Sequence, residues 1–366
     1  MQFCITNAKV DSMRIAIIRH SIRDRGGDKV VNEYAEYLLE KGHEVIYWTN
    51  EIMPGISLDK RIKLKKIPFK GKIGTILFTA LTDFDSDVLL VDIVVMGCCA
   101  WIRNAKSVLY FAQDYDVRYY SSKLMQGLLR VIYWTAFNIM NIPAIAVSGG
   151  LAKLLEKHTE RKIKVVLNGI NHRIFYREDR SRFLPEKRAS QAIILYARSD
   201  FRKGLDIGIK AIEELARLRG VNDWELWAIG DDPLSVSIEG VKVKRWGFLA
   251  EDDLRAIFSA ADIYLLPSRS EGLSLLLLSA LACQCVVVGT AASNIITDEV
   301  DGLVSPIEDW RALAKNLNRA MSDKSLFMKL SRNGQLLAKK YDSEKGCAQF
   351  ETALTEFVNK KRKPVL

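Results

Sequence analysis

The amino-acid sequence predicts an α/β protein built from two consecutive domains, each with a mostly parallel β-sheet covered by helices. Short apolar segments of strand-like composition alternate with segments of helical periodicity along both halves of the chain. Strands that alternate with helices form βαβ units, whose successive strands run parallel. A chain of 366 residues with 49% hydrophobic residues is also long enough to bury two separate cores.

The first alternating series is predicted to begin with a strand at 13–20. The pair Gly26–Gly27 follows, and then a helix that Gly42 ends. Residues 131–152 carry no charge, but asparagines, a proline and two glycines interrupt them, so we expect a buried helix and a short strand there instead of a membrane span. The further strands of this half are expected at 44–49, 88–97, 107–113 and 144–148.

A polar, charge-rich stretch at 176–190 shows neither the helical nor the strand-like pattern of the residues before it, and we place the domain boundary there. The predicted organisation is a first domain at 1–175, a second domain at 176–345 and a C-terminal helix with a basic tail at 346–366. The second series contains strands at 192–199, 224–230, 241–248, 261–268 and 285–289, with helices after Gly204 and at 275–283. Ligands of open parallel sheets bind beyond the carboxyl ends of the strands, which predicts a ligand cleft between the domains.

The cysteines and the first residues indicate a cytosolic protein. The six cysteines contain no CxxC pair and mostly lie in apolar segments, which favours reduced, packed thiols over disulfides or a zinc site. Residues 1–12 lack the basic start and the long apolar stretch of a signal peptide, and Met13 is a candidate second start.

The net charge of +10 predicts an anionic partner. Part of this charge is local, because the segment 60–72 holds seven Lys and Arg residues and no acid, and the C-terminal tail adds more. A solvated basic face and an anionic membrane surface are both compatible with this segment. Nucleic acid is not expected, since the aromatic residues that stack on bases are missing there.

Three charged residues stand where ligand chemistry is expected. Arg198 ends a predicted strand and Lys203 precedes the next helix, so two cations beside a helix start predict a diphosphate receptor, although each could be a surface charge. Glu271 precedes the uncharged helix 275–283, where it could cap the helix, accept hydrogen bonds from sugar hydroxyls or take part in catalysis. The acidic clusters at 83–87 and 114–116 invite a metal site, but such short patterns arise by chance and no metal is expected.

The motifs, taken in order, resemble one enzyme family. The segments GGDKVVNEYAEYLLEKGHEV, VVLNGIN, ARSDFRKGLD, the run from Trp246 to Thr290, and ITDEVDGLVSP are similar to the retaining GT-B nucleotide-sugar glycosyltransferases of the family-4 type, over nearly the whole chain. The resemblance implies two Rossmann-like domains that face a central cleft, an acceptor-side domain at 1–175 and a nucleotide-sugar-binding domain at 176–345. The last helix, at 346–366, would cross back to the first domain. It also implies hexosyl transfer without a metal or other cofactor, the nucleoside-diphosphate sugar being a co-substrate.

The resemblance assigns roles to residues by their place in the motifs. The Gly26–Gly27 loop would approach the donor phosphates and sugar, while Arg198 and Lys203 would bind the diphosphate. Glu271 corresponds to the first Glu of the family's E-x7-E motif, near the hydroxyls of the transferred sugar. The backbone amides after it, which would hold the sugar and the diphosphate, belong to Gly272, Leu273, Ser274 and Leu275.

Three positions depart from the family pattern. Ser279 stands where the second Glu would bind the ribose hydroxyls, and a hydroxyl is a weaker acceptor than a carboxylate, which favours a deoxyribose donor such as dTDP-rhamnose. Gln113 and Asp114 stand where many relatives carry a His near the sugar and the acceptor. The sequence around these two residues resembles that of a subgroup of bacterial rhamnosyltransferases, although Asp114 could simply cap a helix start. Asn171 replaces the usual Asp after Asn168 and Gly169.

The sequence therefore predicts a glycosyltransferase that moves a sugar from a nucleoside diphosphate to a glycan or lipid-linked acceptor, with retention at the anomeric carbon and a role in polysaccharide biosynthesis. The expected location is the cytoplasm, peripherally at the inner membrane face through segment 60–72. The alternatives are a GT-B nucleotide-sugar epimerase and a non-catalytic nucleotide-sugar-binding partner of a glycosyltransferase complex.

Overall fold

The chain forms two compact units in the computed structural model. The first unit extends to Leu167 and includes the residues from Gly346 onward, and the second comprises Asn168–Lys345. The first part of the first unit thus ends at residue 167, whereas the sequence predicted that the first domain ends at residue 175. The structure describes residues 12–23, 26–53, 56–120, 122–179 and 181–362, so Cys4 and the last residues of the predicted basic tail lie outside the described part.

A seven-stranded parallel sheet forms the centre of the first unit. Its strands are β1 (Arg14–Ile22), β2 (Glu44–Ile52), β3 (Lys63–Lys66), β4 (Val88–Val91), β5 (Val108–Ala112), β6 (Ala144–Ala146) and β7 (Lys164–Val165). They lie in the order β3-β2-β1-β4-β5-β6-β7, and Ile17 of β1 pairs with Tyr47 on one side and Leu90 on the other. All residues of β4 and β5 are buried, as expected for central strands covered on both faces.

Helices cover both faces of this sheet. The helices are α1 (Gly26–Glu40), α2 (Gly71–Leu81), α3 (Val94–Asn104), α4 (Lys123–Trp134), α5 (Gly149–Leu155) and α11 (Ser343–Arg362), the last of which belongs to this unit from Gly346 on. Tyr34 of α1 stacks on Phe350 of α11, with ring centroids 4.4 Å apart. On the other face α2 packs against α3 and α3 against α4, since right-handed crossovers on the two sides of β1 place their helices on opposite faces.

The second unit is also a parallel α/β sandwich. Its strands lie in the order β10-β9-β8-β11-β12-β13. As in the first sheet, the first strand of the unit lies between its second and its fourth strand. The strands are β8 (Gln191–Tyr196), β9 (Trp224–Ile229), β10 (Val243–Trp246), β11 (Ile263–Leu266), β12 (Val286–Thr290) and β13 (Leu303–Ser305). The helices are α6 (Leu205–Arg219), α7 (Glu251–Ala260), α8 (Leu275–Ala282), α9 (Trp310–Ser322) and α10 (Lys324–Ala338).

The uncharged helix α8 is the most enclosed helix of this unit. Its residues from Leu277 to Ala282 are buried, and it packs against α7, α10, β11 and β12. A side chain at Gly334 of α10 would lie 2.6 Å from Leu281, so the small residue allows the two helices to approach closely. Burial on nearly all sides explains why the segment needs no polar face.

The structure corrects several expectations about individual segments. The strand predicted at 88–97 ends at Val91, because α3 already begins at Val94. The segment 60–72 is not only a basic stretch, since it contains the edge strand β3 and the start of α2, and all four residues of β3 are exposed. The helix expected to be buried within 131–152 is α4, whose Val131 and Trp134 are more than half exposed.

Candidate functional site

The predicted cations and the predicted acid of the second unit lie at one edge of its sheet. Strands β8 and β11 are neighbours, and the loops that carry Arg198, Lys203 and Glu271 leave their carboxyl ends. In parallel sheets this edge is where ligands bind. The fold therefore brings together three residues that are separated by up to about seventy positions in the chain.

Lys203 and Glu271 form a tight ion pair. The Nζ atom of Lys203 lies 2.9 Å from both carboxylate oxygens of Glu271. The hydroxyl of Ser268 donates to Glu271 Oε1 at 2.6 Å, and the Asn294 amide donates to the Glu271 carbonyl at 2.9 Å. Glu271 is only 7% exposed, and its position is fixed by neighbours on three different segments.

The helix that follows is capped by a different residue. Ser274 is the N-cap of α8, and its hydroxyl accepts a hydrogen bond from the Leu277 amide at 3.3 Å. The capping explanation for Glu271 is therefore wrong, because the carboxylate is bound by Lys203 and Ser268 instead. The start of α8 contributes its dipole to the same edge of the sheet.

Arg198 is held more loosely than Lys203. Its guanidinium lies 3.6 Å from Asp200 and 3.5 Å from Asp231, and its side chain is 17% exposed. These distances are too long for well-formed charge-assisted hydrogen bonds. Arg198 can therefore exchange its present partners for an incoming anion more easily than Lys203 can.

The two loops of this edge are locked together by contacts that the sequence did not indicate. The Arg269 amide donates to the Arg202 carbonyl at 2.7 Å, and the Arg269 guanidinium binds Asp206 at 2.7 and 2.8 Å. Gly204 has φ +63°, and a side chain there would overlap the carbonyl oxygen of Pro267. Only glycine fits this position, and the loops that carry Lys203 and Glu271 keep a fixed spacing.

The remaining motif positions of the second unit have mainly local contacts. Ser279 is buried within α8. Asn171 accepts from the Arg173 amide at 2.9 Å and so closes a short turn. Asn168 is buried, and a side chain at Gly169 would overlap the backbone of Asp342, which requires glycine there.

In the first unit, Gly27 and Gln113 come together. Helix α1 begins at Gly26 itself, and Gln113 directly follows β5. A side chain at Gly27 would lie 2.6 Å from the Gln113 Oε1 atom, so the absence of one lets the amide rest on the start of α1. Two predicted site residues, far apart in sequence, thus lie at the carboxyl edge of the first sheet.

A largely buried charge cluster beside them was missed by the sequence analysis. Arg19 of β1 binds Asp92 at 2.5 Å and Asp28 of α1 at 3.1 Å, and its guanidinium also donates to the Gly27 carbonyl at 3.3 Å. Asp114 accepts from the Tyr115 amide at 2.7 Å. The partners of Arg19 come from different elements, which the sequence shows only as isolated charges.

Asp116 gives this cluster a pH dependence. Its carboxylate accepts from the Val94 amide at 2.9 Å, and burial, with Asp92 and Asp114 nearby, raises its pKa from 3.8 to about 7. Between these two values the folded state holds a proton that the unfolded state has released, so stability falls as pH rises through this window. Asp116→Asn, which is neutral at every pH, should escape this loss.

We expect Asp116→Asn to gain stability relative to the unmodified protein on the order of 2 kcal/mol between about pH 5 and about pH 8. Denaturant unfolding at both pH values measures this difference. Exposed Glu40 at the end of α1 provides the control variant Glu40→Gln, which should show no such change. Equal pH dependence of Asp116→Asn and the unmodified protein would contradict the shifted pKa.

No group of three or more His, Cys, Asp or Glu side chains is placed to hold a metal ion within the described residues. In the acidic cluster at 83–87, Asp85 binds the Arg14 guanidinium and Asp87 accepts from the Arg14 amide at 2.8 Å. Five of the six cysteines are described, and all five are free thiols. Across the described helices, none combines the length and the apolar character needed to cross a bilayer.

The match to a protein family lies in the second unit, whereas similarity to solved structures extends over nearly the whole chain. Residues 190–323 match the family described as glycosyl transferases group 1. An uncharacterized glycosyltransferase of Methanocaldococcus jannaschii is 26% identical over 211 residues, which cover 55% of this chain and 56% of the relative. The chain thus spans little more than half the length of this relative.

Two further proteins cover more of the chain. The Campylobacter jejuni GalNAc-alpha-(1->4)-GalNAc-alpha-(1->3)-diNAcBac-PP-undecaprenol alpha-1,4-N-acetyl-D-galactosaminyltransferase is 24% identical over 288 residues, 76% of this chain and 77% of the relative. Sucrose-phosphate synthase from Thermosynechococcus elongatus has the same fold, with a TM-score of 0.79 at 18% identity, and covers 95% of this chain and 99% of its own. Residues 190–323 therefore match the glycosyl transferases group 1 family, and the chain as a whole has the GT-B fold.

Proposed function

We propose that this protein transfers a hexosyl group from a nucleoside-diphosphate sugar to a glycan or lipid-linked acceptor, with retention of the anomeric configuration. One observation carries the proposal. Lys203, Glu271 and the loosely held Arg198 converge at the carboxyl ends of β8 and β11, inside the segment that matches the glycosyltransferase family. A cation pair beside a carboxylate suits a diphosphate joined to a hydroxyl-rich sugar.

The chemistry proposed for these residues follows from their donors and charges. As the bond to the sugar breaks, negative charge develops on the departing diphosphate, and Arg198 and Lys203 stabilise it together with the start of α8. An ammonium group has three donors, and Lys203 uses two on Glu271, so the third can reach a phosphate oxygen. Glu271 accepts hydrogen bonds from the sugar hydroxyls and orients the ring.

The first unit supplies the proposed sugar-side and acceptor-side residues. The amides of Gly26 and Gly27 open α1, where an anionic group is favoured. Gln113 rests on this helix start, and Asp114 follows it directly, so both are suitably placed to contact a sugar or an acceptor hydroxyl. Donor positions assigned to the amides of Gly272 to Leu275 belong to the same proposal, which involves no metal.

The choice of donor nucleotide is based on Ser279. A buried serine replaces the carboxylate that would bind the ribose hydroxyls, so a ribose adds less binding free energy than it would beside a glutamate. We therefore propose a deoxyribose nucleotide, with dTDP-rhamnose as the leading donor. The variant Ser279→Glu should strengthen the binding of ribonucleotides more than that of dTDP.

Thermal unfolding in the presence of dTDP, UDP, GDP or ADP tests this proposal, because a ligand that binds only the folded state raises its apparent stability. We expect the largest shift with dTDP, and a larger gain for UDP than for dTDP in Ser279→Glu. A clear preference for UDP or GDP would exclude the deoxyribose donor. If no nucleotide shifted the transition, the nucleotide site itself would be refuted.

Turnover separates an enzyme from a binding partner. With a donor that binds, we expect hydrolysis or transfer, and NMR of the product should show the donor's anomeric configuration. Donor binding without any hydrolysis or transfer would instead favour the non-catalytic partner. An inverted product would contradict retention while leaving sugar transfer intact.

The acceptor and the location are part of the same proposal. The Campylobacter jejuni relative is named for a glycan carried on PP-undecaprenol, which supports a lipid-linked acceptor here. The exposed basic residues of segment 60–72 support attachment to an anionic membrane surface, which for a lipid-linked substrate of a nucleotide sugar is the cytoplasmic face.

A further inference from the structure

The helices on the two faces of the first sheet differ in charge. Helices α2, α3 and α4, which pack side by side, contain no Asp or Glu at all. On the opposite face, α1 contains four acids and α11 contains three. One face of this unit is therefore free of helical carboxylates, whereas the other mixes both signs as ordinary protein surfaces do.

Two of these three acid-free helices, α2 and α4, also expose large aliphatic side chains at helical spacing. On α2 the exposed residues recur every fourth position, and on α4 they recur after four and then three positions, so each helix presents one apolar stripe to solvent. Their exposed fractions range from 51% to 85%. We call these residues, together with the half-exposed Trp134, the outer helix face: Ile73, Leu77, Leu81, Leu124, Leu128, Val131 and Trp134.

Basic side chains border the outer helix face. Lys66, Lys70 and Lys72 are exposed around the start of α2, and the described residues include no carboxylate paired with any of them. On α4, Lys123 and Arg130 are exposed beside the leucines. The surface thus combines apolar side chains with basic ones around the start of α2 and on α4, and exposed acids follow in the loop after α2.

We infer that the outer helix face lies against an anionic phospholipid bilayer, with its aliphatic residues and Trp134 at the level of the headgroups and the lysines on lipid phosphates. Interfacial helices bind through this combination of apolar stripe and basic rim, and each basic residue near an anionic surface adds attraction. The inference rests on the membrane location proposed above and specifies the surface that makes the contact, which segment 60–72 by itself does not.

Charge argues against a second copy of the chain as the occupant. Two outer helix faces brought together would place the basic side chains of α2 and α4 against those of the other copy, with no carboxylate on either set of helices to balance them. An anionic bilayer supplies the opposite charge and an apolar interior at once. The apolar stripes lie on two separate helices, which a lipid surface can accommodate without shape complementarity.

The test is cosedimentation of the full-length protein with vesicles. Vesicles of phosphatidylcholine alone are compared with vesicles that also contain phosphatidylglycerol, at low and high salt. We expect binding to the anionic vesicles, and a loss of roughly tenfold or more in the double variant Leu124→Asp/Leu128→Asp, because two exposed leucines that would contact the lipid are replaced by charges that the lipid repels. The triple variant Lys66→Gln/Lys70→Gln/Lys72→Gln should lower binding to anionic vesicles only.

A matched control lies in the second unit. Met328 and Leu336 of α10 are 63% and 50% exposed, and Met328→Asp/Leu336→Asp should bind vesicles as the unmodified protein does. Nucleotide-induced thermal shifts should be unchanged in every variant, which separates this inference from the nucleotide proposal. Absence of binding to anionic vesicles at low salt, equal binding by the α4 variant, or a dimer that the α4 variant dissociates would each overturn it.

Discussion

Replacing Lys203 by alanine is expected to lower turnover by roughly a hundredfold to a thousandfold, because preorganised charges that meet a developing anion are worth this much in other enzymes. The ammonium group lies 2.9 Å from Glu271 and is held at the carboxyl edge of the sheet, where the diphosphate is proposed to bind. Steady-state kinetics with a hydrolysed or transferred donor measures the effect. Lys210→Ala, an exposed lysine of α6, is the matched control and should leave turnover unchanged.

Stability has to be separated from catalysis in this variant. Removal of Lys203 leaves the 7% exposed Glu271 without its cation, which destabilises the fold by itself. The double variant Lys203→Ala/Glu271→Gln removes that unpaired charge, so it should recover part of the stability while remaining inactive. Recovery of turnover in the double variant would show that Lys203 only balances Glu271 and does not meet the diphosphate.

Replacing Gly204 by alanine is expected to destabilise the second unit by more than roughly 3 kcal/mol and to abolish nucleotide binding. The residue has φ +63°, and its new methyl group would overlap the Pro267 carbonyl oxygen. Either the loop with Lys203 or the loop with Glu271 has to move, so the ion pair is lost as well. Denaturant unfolding and nucleotide-induced thermal shifts report the two effects.

Gly240 provides the comparison for backbone strain. It has φ +74°, but a side chain there would meet no atom within 4 Å. Gly240→Ala should therefore cost only the conformational strain, about 1–2 kcal/mol, and nucleotide binding should persist. Equal losses at the two glycines would mean that the contact with Pro267 adds nothing.

The local sequence was sufficient to predict much of the fold, because the spacing of apolar residues and the residue types of turns are local properties. The alternation of apolar runs and helical spacing predicted β1, β2, β5 and most of the second sheet in order, and glycines marked the helix starts and ends. Prediction failed where an element's environment decides the outcome. The uncharged stretch around Val131 suits a buried helix, yet α4 exposes one side, and β3 is formed mostly by lysines on a sheet edge.

For the candidate site, the sequence by itself determined which charged side chains can contact a ligand, because Arg198, Lys203 and Glu271 stand at the ends of predicted strands. The order of the motifs along the chain also indicated the glycosyltransferase fold. Only the tertiary structure decided that Glu271 binds Lys203 instead of capping α8, that Gly204 packs against Pro267, and that Arg19 gathers Asp28 and Asp92. The physical reason is that each of these contacts joins segments brought together by strand pairing. Their distances and burial depend on the assembled sheet and on no property of the local chain.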